Sequence, residues 1–87
     1  MSTPPQVLAT PSQLGHLLQA ARKAQGMTQS ALAGRLGLSQ SRVSHLELHA
    51  QELSVEQLLA WCAALGLELA VGPRGGQAPS STVQADW

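Results

Sequence analysis

Residues 28–46 read TQSALAGRLGLSQSRVSHL. Thr28 is a hydroxyl cap before an eight-residue helical pattern ending at Leu36, with Leu32, Ala33 and Leu36 on its inward side. Gly37 interrupts it, and a glycine accepts the positive φ of a tight turn at no steric cost. Ser39 then caps a second pattern that runs to about Leu48, with Val43 and Leu46 inward. Ala33 is the small residue on the inward side of the first pattern, and Val43 is the β-branched inward residue of the second.

The flanks carry the same punctuation. Upstream, Thr10-Pro11-Ser12-Gln13 is a capping box with proline at the first helical position. Leu14, Leu17, Leu18 and Ala21 follow at one-face spacing until Gly26, and Val7 or Leu8 is placed to cover the first turn. Downstream, Ser54-Val55-Glu56-Gln57 opens a further helix to Leu65, with Val55, Leu58, Leu59, Cys62 and Leu65 expected on its buried side. Gly66 stops it. Leu67-Glu68-Leu69-Ala70-Val71 then nearly alternates, which suits a short strand. Only residues 6–9 offer another strand candidate, and a lone strand leaves its backbone groups unpaired. A symmetric dimer in which each subunit gives one strand resolves that. From Gly72 the chain reads GPRGGQAPSSTVQADW, too poor in apolar residues to repay ordering.

With 87 residues there is room for one domain, and a core of this size is commonly reinforced by oligomerisation. The formal net charge of zero conceals a split. Residues 1–46 hold Arg22, Lys23, Arg35 and Arg42 and no acid. Residues 47–87 hold Glu47, Glu52, Glu56, Glu68 and Asp86 against Arg74, so the halves carry +4 and −4. The basic half contains the quoted stretch, and the acids beyond Glu47 are expected on a face turned away from it. A single cysteine permits no internal disulfide and suits a reducing cytoplasm. MSTPPQVLAT shows no secretory pattern, and the apolar run Leu58–Leu65 is far short of a membrane span. Tyr and Phe are absent, which removes the usual platform for stacking single-stranded bases.

Residues 28–46 resemble the helix-turn-helix of the Cro/C1-type (XRE) DNA-binding family. The match rests on Gln29 at the start, Ala33 at the small position, Gly37 in the turn and Val43 in the second helix. The fold expected is an all-α, lambda repressor-like bundle. Gln40, Ser41, Ser44 and His45 share the exposed face of the second helix, which is polar and free of acids. Gln suits the N6 and N7 edge of adenine, and Ser suits a base or a phosphate. The resemblance implies that Gln40 reads a base and that Gln29 bonds the DNA backbone and braces it. Arg42 suits phosphate or base. Ser39 and the helix N-termini supply further phosphate partners, and Arg35 and Lys23 are available cations. The resemblance also places Arg22 and Glu47 in a structural ion pair between the first helix and the end of the third.

The whole chain looks like a HipB-type antitoxin. Residues 1–9 correspond to an N-terminal arm, 10–66 to the DNA-binding domain, 67–71 to a dimerisation strand and 72–87 to a tail ending in Trp87. The short apolar loop LHAQEL departs from that pattern. The resemblance implies a homodimer on a palindromic operator, a HipA-type serine/threonine kinase toxin as partner, and repression of the shared operon. Trp87 is the candidate toxin contact, because an aromatic at a tail tip is a common anchor of protein recognition. The remaining reading within the family is an ordinary Cro/C1-type regulator with no toxin, and outside it a scaffold that has lost DNA binding. No catalytic set is visible. His16, His45, His49 and Cys62 form no metal-ligand pattern, Trp61 suits either core or dimer interface, and no cofactor is expected.

Overall fold

The structure, a computed structural model, describes residues 6–74. Four α-helices follow in order: α1 (Pro11–Ala24), α2 (Gln29–Leu36), α3 (Gln40–Leu48) and α4 (Val55–Ala64), with a single 3-10 turn at Ala50–Glu52 between the last two. Each helix starts on a hydroxyl. Thr10, Thr28, Ser39 and Ser54 accept from the backbone N–H groups of Gln13, Ala31, Arg42 and Gln57. At Thr10 and Ser54 the Gln three residues on also accepts from the cap's own N–H, completing the box. These contacts span three residues, so they form wherever the sequence supplies the pair.

Helix endings reuse one device. Gly37 takes φ 70°, and the next N–H, that of Leu38, returns to the carbonyl of Ala33 at 3.0 Å. The ends of α1 and α4 close alike, with Met27 donating to Arg22 and Leu67 to Cys62. In all three the returning residue is apolar and packs against the core. The turn therefore both stops a helix and tucks a side chain beneath it.

Leu18, Leu32, Val43, Leu46, Trp61 and Leu65 are fully buried and draw on all four helices. Each such side chain contributes about 1.5–3 kcal/mol through removal from water. Trp61 is thus core. On α4 the inward stripe is Leu58, Trp61, Cys62 and Leu65, whereas Val55 and Leu59, expected inside, are 71% and 49% exposed. The two candidate stripes, 55-58-59-62 and 58-61-62-65, have the same spacing; the bulk of Trp61 fills the bundle and turns the other edge outward. Burial pushes the Cys62 thiol above its ordinary value, which keeps it protonated and inert. Of Val7 and Leu8, either of which was expected against the first turn, Val7 is 88% and Leu8 37% exposed, and both line an open depression with Leu17.

Gly15 has a role that spacing did not indicate. It is buried where α1 meets the end of α3, and a Cβ there would overlap the carbonyl oxygen of Glu47. The glycine lets the two backbones touch. Leu67–Val71 runs on from α4 without helix, and among the described residues no strand ladder is formed. Leu69 and Val71 are exposed. No described helix is long and apolar enough to cross a membrane.

Candidate nucleic-acid interface

α2 and α3 cross over Ala33, which is 4% exposed, and Val43 closes the angle with no exposure at all. That crossing projects the N-terminal half of α3. Gln40, Ser41 and Arg42 are exposed and Ser44 and His45 half-buried. Ser39 stands at the tip, its hydroxyl oxygen accepting from Arg42 N–H at 3.1 Å and its own O–H left to donate. No acid belongs to the first turn of α2 or α3, so the positive ends of both helix dipoles carry no carboxylate of their own.

The position of Gln40 is set by a continuous line of hydrogen bonds. Its Nε2 donates to Gln29 Oε1 at 2.9 Å, and Gln29 Nε2 donates to Glu47 Oε1 at 3.0 Å. Glu47 is held in turn by Arg22, whose Nε reaches Oε2 at 2.7 Å and whose Nη2 reaches Oε1 at 3.2 Å. The remaining Arg22 Nη1 donates to Met27 O at 2.8 Å. The ion pair is 8% and 2% exposed at its two side chains, bidentate and fully satisfied. A buried structural pair thus braces an exposed amide through one glutamine. One N–H of Gln40 is spent on this line, and its carbonyl oxygen and second N–H are not used in it.

The far side of α3 is arranged differently. His45 Nε2 lies 3.0 Å from Glu52 Oε1, and Arg42 Nη1 lies 4.0 Å from the same oxygen. The ring of His49 stacks on His45 with centroids 4.5 Å apart. The hydrogen bond with His45 holds the Glu52 carboxyl below its ordinary value against slight desolvation, with help from the charges of His45, His49 and Arg42. This corrects the expectation that the acids beyond Glu47 face away from α3. Glu52 folds back because the 3-10 turn directs the chain over the helix it has just left, a reversal with no short-range sequence signature. Arg35, expected among the phosphate partners, donates to the Ala64 carbonyl at 3.4 Å and so caps the end of α4. Trp87 and most of the tail lie outside the described residues. Among those residues no trio of His, Cys, Asp or Glu is arranged to hold a metal.

A buried small-residue crossing, a glycine turn and a projecting polar helix together define a helix-turn-helix protein. The helix-turn-helix family HTH_3 matches residues 18–71, and the chain belongs to it. In sequence it is 40% identical over 57 residues to an uncharacterized HTH-type transcriptional regulator, y4dL, of Sinorhizobium fredii; the match covers 66% of this chain and 29% of that protein, so the chain spans under a third of its length. In structure it is similar to a chain of a HipA-HipB-O2-O3 complex, with a TM-score of 0.73 and 24% identity over 80% of this chain and 99% of that one. A HipB-O2 20mer complex gives a TM-score of 0.75 and 22% identity, covering 83% of this chain and 100% of the other. At those identities the likeness shows a shared fold.

Proposed function

We propose that this chain is a sequence-specific DNA-binding repressor, and the antitoxin of a HipA-type serine/threonine kinase toxin whose operon it represses. The observation that carries the DNA reading is the braced Gln40 at the start of α3, whose first turn holds no acid. Gln40 reads a base edge; Gln29, Ser39, Ser41, Ser44, Arg42 and His45 contact backbone or neighbouring bases. The chain acts as a homodimer, residues 67–71 pairing between subunits, which supplies partners for the backbone of the exposed residues Glu68–Val71. Two α3 helices about 34 Å apart then enter successive major grooves of a palindromic operator. Repression follows from occupancy, and the chain itself is no enzyme.

The antitoxin part is supported by the fold shared with HipB in complexes that contain HipA and operator DNA. Residues 1–9 form an arm, 10–66 the DNA-binding domain and 72–87 a tail that offers Trp87 to the kinase. The higher identity to y4dL favours a second reading, an ordinary Cro/C1-type regulator without a toxin. Co-purification with the product of an adjacent kinase-like gene separates them: a stable complex that weakens when residues 73–87 are deleted supports the antitoxin, and no complex supports the plain regulator. Gln40→Ala tests the DNA reading. It should lower specific affinity by roughly 1–3 kcal/mol while leaving random-sequence binding unchanged. Equal losses on both duplexes would remove Gln40 from base readout.

A further inference from the structure

Glu52 is held where it can act on the DNA-facing side of α3. The 3-10 turn is fixed at both ends, Glu52 N–H donating to His49 O and Leu53 N–H to Ala50 O, each at 3.0 Å. Ala50 is 5% exposed and anchors the turn beneath α1. The carboxylate therefore returns over α3, 3.0 Å from His45 Nε2 and 4.0 Å from Arg42 Nη1. Arg42 and His45 stand three residues apart on one face of the helix, and both are half-exposed, as is Glu52.

We infer that Glu52 is an intramolecular competitor of the DNA phosphate for Arg42 and His45, and so sets the affinity of the protein for DNA. This rests on the DNA-binding reading above. A carboxylate and a phosphate oxygen ask for the same donors, so a docking phosphate must displace or share Glu52. The contact is poorly suited to a structural role. Its Arg42 arm is beyond hydrogen-bonding distance, and exposed pairs of this kind add little to stability. Arg42, His45 and His49 are the titratable and charged groups that face Glu52; Glu47 on the same helix is turned into the core on Arg22. With Arg22 buried, Lys23, Arg35 and Arg42 are the exposed cations of the described helices; Arg35 is turned onto the end of α4, and Glu52 offsets Arg42. The acid thus keeps binding to random DNA weak and leaves the operator to be recognised by base contacts.

The test is fluorescence anisotropy of wild type and Glu52→Gln on a short random-sequence duplex, across about 50 to 200 mM salt. The variant should bind at least about threefold more tightly at the low end, and its salt slope should steepen by about 0.9, the value for one further phosphate contact. Glu52→Ala, which leaves no amide to bond His45, should behave in the same way. Equal or weaker binding by both variants, with wild-type melting curves, overturns the inference and leaves the DNA reading standing. No binding by any of the three chains at low salt removes the DNA reading and the inference with it.

Discussion

The second helix of the helix-turn-helix, α3, is gripped by two acid–base contacts, and they differ in kind. On one side Arg22 and Glu47 are 8% and 2% exposed and joined by two hydrogen bonds, while Arg22 Nη1 donates to the Met27 carbonyl and Glu47 accepts from Gln29 Nε2. On the other side His45 and Glu52 are 42% and 46% exposed and share a single bond. Burial makes the first contact obligatory, because either group left alone would be a desolvated charge. Exposure makes the second one exchangeable, since water and salt replace each partner at little cost. The same chemistry therefore builds a brace in one place and an adjustable contact in the other.

The sharpest way to break this contrast is Glu47→Ala. Stranding Arg22 in the core should cost about 3–5 kcal/mol, which lowers the melting temperature by more than about 12 °C in a chain of this size. A fall of only a few degrees would mean that water reaches the pair and that the two contacts are alike. Gly15→Ala tests the same junction through the backbone. The added methyl presses on the Glu47 carbonyl, so chemical denaturation should show a loss of about 1–3 kcal/mol although alanine is the better helix former. A gain in stability would place α1 farther from α3 than the structure does.

The weaker contact should leave the melting curve untouched. Glu52→Gln should melt with the wild type at neutral pH, and a measurable loss would make the outer contact structural as well. Its pH dependence has a defined sign. The folded-state carboxyl lies below its ordinary value of 4.5, so the contact's contribution is present above that pH and fades as pH falls through the lower folded value. A carboxyl-detected NMR titration should find Glu52 titrating low in wild type and returning toward 4.5 in His45→Ala. An unmoved titration would show that His45 does not hold it.

Much of this was legible beforehand, and what was missed shares a cause. The hydroxyl caps, Gly26, Gly37 and Gly66, and the inward places of Leu32, Ala33, Val43 and Leu46 were all readable from residues three to five apart. The resemblance to the Cro/C1-type family pointed to Arg22 with Glu47, which the structure places 2.7 Å apart across 25 residues of sequence. Spacing could not choose between the two stripes of α4, and so it sent Val55 and Leu59 inward. It gave no reason to notice Gly15, whose need for a missing Cβ exists only because another helix ends against it. It assigned Glu52 by charge counting to a distant face.

The sequence by itself determined where each helix begins and ends, because capping is an exchange between a side chain and a backbone group within one turn. The crossing of the two helices in the quoted stretch, over Ala33 and Val43, was what its resemblance to the Cro/C1-type helix-turn-helix implied. The tertiary structure alone decided which side of α4 is buried, why position 15 holds glycine, and that Glu52 lies over the helix that carries Gln40. Those are relations between segments brought together by the shared core. Their energy comes from excluding water and from opposing charges at contact distance, and neither is fixed until the whole bundle closes.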